Sequence, residues 1–424
     1  MKYTTFEGNG YTGGSITRKS ERTVHCRITT DIHTEHTATK SAIEHLYTDA
    51  LLSGAGKYNR EEFIDAINML GASIGVSMGN SRLTITLRSI EENLPKLLKL
   101  FEVMMREPKF IPSEIKRIQG QTKNELIEHK ENAKAIAQEN FENSLYTAGD
   151  RRYTNTSDQL QKEIVRVTPL DLKNLHKTIL ACKWTVTVGS DTEAVTKIRK
   201  AVENCKQGTR PIKMVRIHAQ KAREQKIILE NIPSKQNIEF AIGTSVPLTL
   251  HHPDYLPFVF GLSVLGKWGG FTGRLMSTVR EKEGLTYGIY AKAESVESEE
   301  QGHYRIMTFF APDKAIQGLT STLRELKKIH KSGITPEEYK RFQTILKTQQ
   351  TLLADSLTSS VDTLHGYLCA DFSLSEIEEY RNRLLTVTRK EINLALKNYL
   401  QPDKLIISGA GPTQVIKKDI LANF

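Results

Sequence analysis

Apolar side chains along this chain switch repeatedly between a spacing of two and a spacing of three to four. Val24, Cys26 and Ile28 alternate with polar neighbours, the pattern of a strand with one buried face. Ile43, Leu46, Tyr47, Ala50 and Leu51 recur at helical spacing, and Gly54 stands where such a helix would close. Asn59 with Glu62 three residues on forms a capping-box pattern that opens a helix through Phe63, Ile67 and Leu70. Leu83, Ile85 and Leu87 alternate with Arg82, Thr84 and Thr86, which predicts a half-exposed strand. Leu94, Leu97, Leu98, Phe101 and Met104 return to helical spacing, and residues 113–146 stay helical without a proline. A strand at 184–188 and a helix over 192–202 follow. Further on, strands are predicted near 239–244, 287–293 and 304–310, and long helices over 313–331 and 336–357. Strands separated by consecutive helices predict an α+β fold, each sheet largely antiparallel with helices packed on one face.

The second half echoes the first. Glu114-Ile115-Lys116-Arg117-Ile118-Gln119 matches Glu338-Tyr339-Lys340-Arg341-Phe342-Gln343 at an offset of 224. Val167-Thr168 and Val387-Thr388 each open a helical stretch, at an offset of 220, and Gly189 with Val195 matches Gly409 with Val415 at the same offset. Gly71-Ala72-Ser73-Ile74-Gly75 pairs loosely with Gly284-Leu285-Thr286-Tyr287-Gly288 at 213. A repeat of about 220 residues is too long for a solenoid unit. Two homologous halves are expected, 1–206 and 224–424, joined by a basic linker at 207–223.

Composition narrows the class. Of the 424 residues, 38% are hydrophobic and 25% charged, enough apolar material for a core and too much for a disordered chain. The longest apolar candidate, Tyr255 to Leu265, is about half the length a membrane span needs. The N-terminal residues carry no apolar run of the secretory kind, so a cytoplasmic protein is expected. The net charge is +10, and seven Lys or Arg against one acid, Glu224, fall between Lys206 and Lys226. That stretch lacks interleaved aromatics and reads as solvated linker, so no nucleic-acid partner is expected. Cys26, Cys182, Cys205 and Cys369 form no C-x-x-C pair and read as free thiols in a reducing compartment.

Four places could carry chemistry. His45 and Asp49 lie four apart on one helix, so both leave the same face, and Glu125 on a later helix could be a third metal ligand. The segment His33-Thr34-Glu35-His36 precedes the helical pattern and reads as a polar loop. The glycine-rich stretch Gly266–Arg274 spells no phosphate-binding motif and reads as a turn needing positive φ. Arg280, closing a helix, and Tyr287, opening a strand, could both donate to a carbonyl oxygen that becomes negative in a tetrahedral intermediate.

Taken together these segments resemble the pitrilysin–insulinase family of zinc peptidases, the inverzincins, over nearly the whole chain. The family fold is a pair of similar α+β halves. Its first half carries an inverted H-x-x-E-H on a helix and a glutamate ligand later in the chain. Leu51-Leu52-Ser53-Gly54-Ala55-Gly56-Lys57-Tyr58-Asn59 is similar to the segment after that motif, and Gly71-Ala72-Ser73 and Asn93-Leu94-Pro95 are similar to other family signatures. This registration places His45-Leu46-Tyr47-Thr48-Asp49 on the motif and Glu125 on the distal ligand. Only the first histidine is present. Thr48 stands at the general-base position and Asp49 at the second histidine. A threonine cannot take a proton from a zinc-bound water near neutral pH, and losing a positioned base costs about 10²–10⁴-fold. Arg280-Glu281-Lys282-Glu283-Gly284-Leu285-Thr286-Tyr287, in contrast, resembles an intact R…GL-Y motif, whose Arg and Tyr lie across the chamber from the zinc in family peptidases.

The resemblance implies a split enzyme. This chain would be the zinc-free subunit, with no cofactor of its own. Arg280 and Tyr287 would complete the site of a homologous zinc-bearing partner that carries H-x-x-E-H, and an extended peptide would bind by strand addition to a sheet edge. Two alternatives stay open: an inactive structural subunit, as degenerate family members are in the respiratory cytochrome bc complex, and a self-sufficient peptidase using His45, Asp49 and Glu125. A pure peptide-binding protein is a third, and a homodimer of the isolated chain is compatible with all of them. Plasma mass spectrometry of the chain purified without added zinc is expected to find no stoichiometric metal, and a quenched peptide library no cleavage. About one zinc per chain with chelator-sensitive cleavage would make His45, Asp49 and Glu125 an unconventional active site.

Overall fold

Side-chain caps set many of the helix starts. In the computed structural model, which describes residues 3–18, 22–32, 36–206, 225–268 and 271–424, three capping boxes stand where the sequence repeats or announces them. Asn59 accepts from the Glu62 amide at 3.0 Å while Glu62 accepts from the Asn59 amide at 2.8 Å. Thr168 with Asp171 and Thr388 with Glu391 make the same reciprocal pair in the two halves.

The strands are β1 (Tyr3–Gly8), β2 (Tyr11–Thr17), β3 (Thr23–Asp31), β4 (Ser73–Gly79), β5 (Arg82–Ile90), β6 (Trp184–Ser190), β7 (Lys226–Asn231), β8 (Ile238–Ser245), β9 (Lys267–Trp268), β10 (Phe271–Thr272), β11 (Ile289–Glu294), β12 (His303–Phe310) and β13 (Ile406–Gly411). The α-helices of the first half are α1 (Ala38–Leu51), α2 (Arg60–Asn68), α3 (Leu94–Arg106), α4 (Pro112–His129), α5 (Ala133–Glu142), α6 (Ser157–Ile164), α7 (Pro169–Ala181) and α8 (Thr192–Cys205). Those of the second are α9 (Tyr255–Leu265), α10 (Ala315–Ser332), α11 (Pro336–Asp355), α12 (Leu357–Cys369), α13 (Leu374–Thr386), α14 (Arg389–Tyr399) and α15 (Lys417–Asn423). The architecture is α+β. No helix among the described residues is long and apolar enough to cross a membrane. Helix α9, the longest apolar run, is buried nearly all round within a core.

The chain forms two units. The first comprises Met1–Ile127, Asn155–Val215 and Thr351–Glu378, the second Glu128–Thr154, Arg216–Gln350 and Glu379–Phe424. The linker read at 207–223 lies outside the described residues. In the first unit six strands run in the order β1-β2-β6-β3-β5-β4, antiparallel except for β2 with β6. Val24, Cys26 and Ile28 of β3 join Leu83, Ile85 and Leu87 of β5 in a core shared with Leu46, Tyr47, Leu97, Phe101 and Ile179. Tyr47 donates to His176 Nδ1 at 2.6 Å, and His176 Nε2 donates to the Met105 carbonyl at 2.8 Å, which satisfies the buried polar groups there.

In the second unit five strands run β11-β12-β8-β13-β7, with only β13 and β7 parallel. This repeats β4-β5-β3-β6-β2 strand for strand and sense for sense. Phe240, Ile242, Tyr304 and Ile306 pack with Phe258 and Leu262 of α9, Leu319 and Leu326 of α10 and Leu396 of α14.

Each sheet has a second covered face, and there the helix comes from the other half of the sequence. Helix α12 packs on β2, β3 and β6, and α5 packs on β7, β8 and β13. The strand expected to have one buried face therefore has two: His25 and Thr29 are 3% and 4% exposed beneath α12. Asp362 of α12 meets His25 Nε2 and Arg27 Nη1, each at 3.1 Å, and His365 bridges the hydroxyls of Thr29 at 2.8 Å and Thr187 at 2.9 Å. Under α5, Arg305 pairs with Glu142 at 3.0 Å and with Glu294 at 2.6 Å, while Tyr146 and His303 Nδ1 are 2.8 Å apart.

One other expectation is corrected at a helix end. The run over 113–146 is two helices, divided where Asn132 caps α5 by accepting from the Ala135 amide at 3.2 Å. The helix expected over 336–357 is present as α11, Pro336–Asp355; Ser356 then caps α12 and so starts the exchanged helix.

Close approach of α12 requires Gly189 on β6: a Cβ there would stand 2.4 Å from Val361 Cγ2 and 2.8 Å from Leu357 Cδ1. Gly189→Ala is expected to destabilise the chain by about 1–3 kcal/mol in urea denaturation, as overpacking does. A second test is pH. Burial holds His365 and His303 neutral, each with its pKa pushed down to about 3, aided by Arg27 at His365 and by Arg305 at His303. Their folded values lie below the unfolded value, so the unfolded chain binds more protons. Stability should fall as pH drops from 6.5 toward 3, by about 1.4 kcal/mol per pH unit per histidine at most. Denaturation curves at pH 7, 6 and 5 should show this slope, made shallower in His365→Gln.

Candidate functional site

Helix α1 starts at Thr37, whose hydroxyl accepts from the Lys40 amide at 3.2 Å. Leu46, Tyr47, Ala50 and Leu51 turn one face into the core. His45 and Asp49 are therefore exposed and Thr48 half-buried on the other. His45 Nδ1 lies 2.8 Å from the Ser41 carbonyl and must donate to it, which leaves Nε2 as the ring's acceptor. Glu125 is exposed on α4. Among the described residues no group of three or more His, Cys, Asp or Glu could hold a metal ion. One imidazole nitrogen and carboxylates standing apart in solvent do not fit a zinc centre, which needs three or four converging ligands.

Arg280 and Tyr287 belong to the second unit. Arg280 was expected to close an ordinary helix. It lies instead on a π-helical turn, Met276–Lys282. The wide turn is visible in its hydrogen bonds: the amide of Glu283 donates to Thr278 O and that of Leu285 to Val279 O, each at 3.0 Å. Met276 and Val279 are buried, and Arg280 faces solvent. Gly284, at φ +62°, reverses the chain, and Leu285 returns to the core. Tyr287 precedes β11 rather than opening it, and is 85% exposed. Neither the Arg280 guanidinium nor the Tyr287 hydroxyl makes a side-chain hydrogen bond among the described residues. The arrangement is a fixed turn that offers two hydrogen-bond donors to whatever docks there.

The sheet of each unit ends in an edge strand. Among the described residues β4 pairs only with β5, and β11 only with β12. Ser73, Gly75, Ser77 and Gly79 alternate with Ile74, Val76 and Met78, which lean on the core. An unpaired edge of this kind can take an added strand.

The other sequence candidates have structural roles. His33, Thr34 and Glu35 lie outside the described residues. His36 is buried, with Nε2 2.9 Å from Ser41 Oγ. In the glycine-rich stretch, Gly269 and Gly270 lie outside the described residues, while Gly266 and Gly273 serve close packing rather than positive φ: a Cβ on Gly273 would meet Gly266 O at 1.5 Å. Cys369 lies 3.5 Å from His365, but burial pushes the thiol up to about 11 and the imidazole down to about 3. The pair cannot form a thiolate and imidazolium near neutral pH. Sequence reasoning passed over Glu283, whose only signal was its place between Arg280 and Tyr287.

Comparison with known proteins gives matches over most of the chain. The family model described as insulinase, peptidase family M16, matches residues 16–156, and the one described as peptidase M16 inactive domain matches 185–346. A Helicobacter pylori protein named "Non-peptidase homolog YmxG" is 18% identical over 364 residues, covering 85% of this chain and 82% of that protein. A crystal structure of a peptidase M16 inactive domain from Pseudomonas fluorescens has a TM-score of 0.85 at 21% identity, over 97% of this chain and 99% of that one. A chain of complex III2 from Candida albicans has a TM-score of 0.73 at 14% identity, over 98% and 97%.

Proposed function

Because the chain belongs to the insulinase family of peptidases, family M16, we propose that it is the zinc-free subunit of a two-subunit metallopeptidase. In this reading it binds peptide together with a homologous partner that carries H-x-x-E-H, and it lends that partner Arg280 and Tyr287. One observation carries the proposal: two strong donors of the R…GL-Y segment stand in solvent without side-chain hydrogen bonds among the described residues, on a turn held by the core. Solvated side chains on a fixed backbone suit a role toward another molecule.

The metal chemistry would be the partner's. This chain's share is to hold the peptide and to stabilise charge. A sheet edge offers backbone groups to an extended peptide. The Arg280 guanidinium and Tyr287 hydroxyl donate to the scissile carbonyl oxygen as it gains negative charge, an interaction stronger in the transition state than in the ground state. Thr48, where a carboxylate would be needed as base, accounts for inactivity of the chain alone. The identical strand order and sense in the two units further supports the inference that the halves arose by duplication.

A second reading is a non-catalytic structural subunit, favoured by the name of the Helicobacter relative and by the fold shared with a complex III chain. It leaves the exposed Arg280 and Tyr287 without a role. Affinity purification separates the two: an H-x-x-E-H chain should co-purify under the first, and membrane-complex subunits under the second. In the reconstituted peptidase, Arg280→Ala is expected to lower kcat/KM on a peptide by about 10²–10³-fold, the effect of removing one oxyanion donor. An unchanged kcat/KM ends the proposal.

A further inference from the structure

We infer that Glu283 is a positioning residue, whose carboxylate, held by Ser321 and Arg324 of α10, fixes the turn that presents Arg280 and Tyr287. The inference rests on the reading that these two side chains serve a partner. Arg324 Nη2 donates to Glu283 Oε1 at 2.5 Å, and the buried Ser321 hydroxyl donates to Oε2. Burial opposes ionisation of this carboxyl, but Ser321 and Arg324 outweigh it and hold the group below the usual carboxylate range. The neighbouring anchors are weaker. Lys314 Nζ reaches Gly284 O at 3.4 Å, and Thr286, buried, takes the Gly288 amide at 3.2 Å and stands 3.4 Å from the Thr308 hydroxyl.

Helix capping does not explain the carboxylate. Glu283 caps the C-terminal end of the π-helical turn, where the helix dipole disfavours negative charge. The first unit shows what the same turn needs when it presents nothing. There Gly71, at φ +58°, occupies the place of Gly284. Leu70, in the place of Glu283, packs against the core, and its carbonyl accepts from Asn93 Nδ2 at 2.9 Å. Ile67, in the place of Arg280, is buried. Between the glycine and the strand the first unit has Ala72 alone, and the second has Leu285, Thr286, Tyr287 and Gly288. The first turn is thus short and anchored by apolar burial on its helical side. The second is longer and turns Arg280 and Tyr287 outward; Val279 and Leu285 still reach the core, and the charged clamp to α10 stands where Leu70 packs in the first.

Hydrogen–deuterium exchange on the full chain tests the clamp without any partner. In Glu283→Ala, which removes the hydrogen bonds from Arg324 and Ser321, the amides of 284–288 should exchange about tenfold faster or more, with the melting temperature nearly unchanged. Glu283→Arg and Arg324→Glu should each do the same, and the Glu283→Arg/Arg324→Glu double variant should restore protection. Glu283→Gln, which keeps shape without charge, replaces the alanine variant if that one fails to fold. In the reconstituted peptidase Glu283→Ala should lower kcat and leave KM unchanged, with recovery in the charge-swapped pair. Wild-type protection in Glu283→Ala overturns the clamp. Lost protection with unchanged kcat, where Arg280→Ala does lower it, overturns the positioning role alone. An Arg280→Ala without effect removes the functional reading, and the exchange result then judges the clamp by itself.

Discussion

Both sheets are buried on two faces, and that constraint shapes the rest of the protein. One face of each carries the helices that follow its strands in sequence. The other must be covered too, because β3 and β12 place His25, Thr29, His303 and Arg305 there, away from water. The cover is α12 on the first sheet and α5 on the second. A buried charge or imidazole is tolerated only when paired, and Asp362, His365, Glu142 and Tyr146 supply those partners. Neither unit is therefore a continuous stretch of chain. Removing one exchanged helix would strip the polar face of a sheet whose strands lie in the opposite half.

Against that background the turn at 280–287 is unusual. The buried side chains of Tyr47 and His176, by comparison, are tied down by hydrogen bonds. Here the backbone is fixed and the side chains are left in solvent. The positions that would hold zinc in a family peptidase show the converse. His45, Thr48 and Asp49 ride on a well-capped helix, yet they do not converge with Glu125 into a metal centre. Arg280 and Tyr287 stand as exposed donors, while Thr48 stands where the family resemblance places a general base. This asymmetry is what a division of labour between two subunits would produce.

Local signals were legible along the chain because their causes are local. The capping boxes at Asn59, Thr168 and Thr388 involve atoms three residues apart, and the alternation in β5 follows from the pleat of a single strand. The repeat was legible for a related reason: equivalent turns need equivalent residues, and Gly71 and Gly284 both take positive φ. Family membership and the odd occupants of the zinc motif could likewise be read from residue types in order.

What the tertiary structure alone decided depends on residues far apart in sequence. A polar residue on an alternating strand looks solvated until its partner is known, and Asp362 lies hundreds of positions from His25. Helix α12, which starts after Ser356, carried no local signal that it would cover a sheet whose strands lie in the other half. The wide turn under Arg280 and the hold of α10 on Glu283 have no periodic signature, since both arise from packing against elements that follow later in the chain. Residue identity determined which side chains stand at the motif positions. Long-range packing decided which of those side chains are turned toward water.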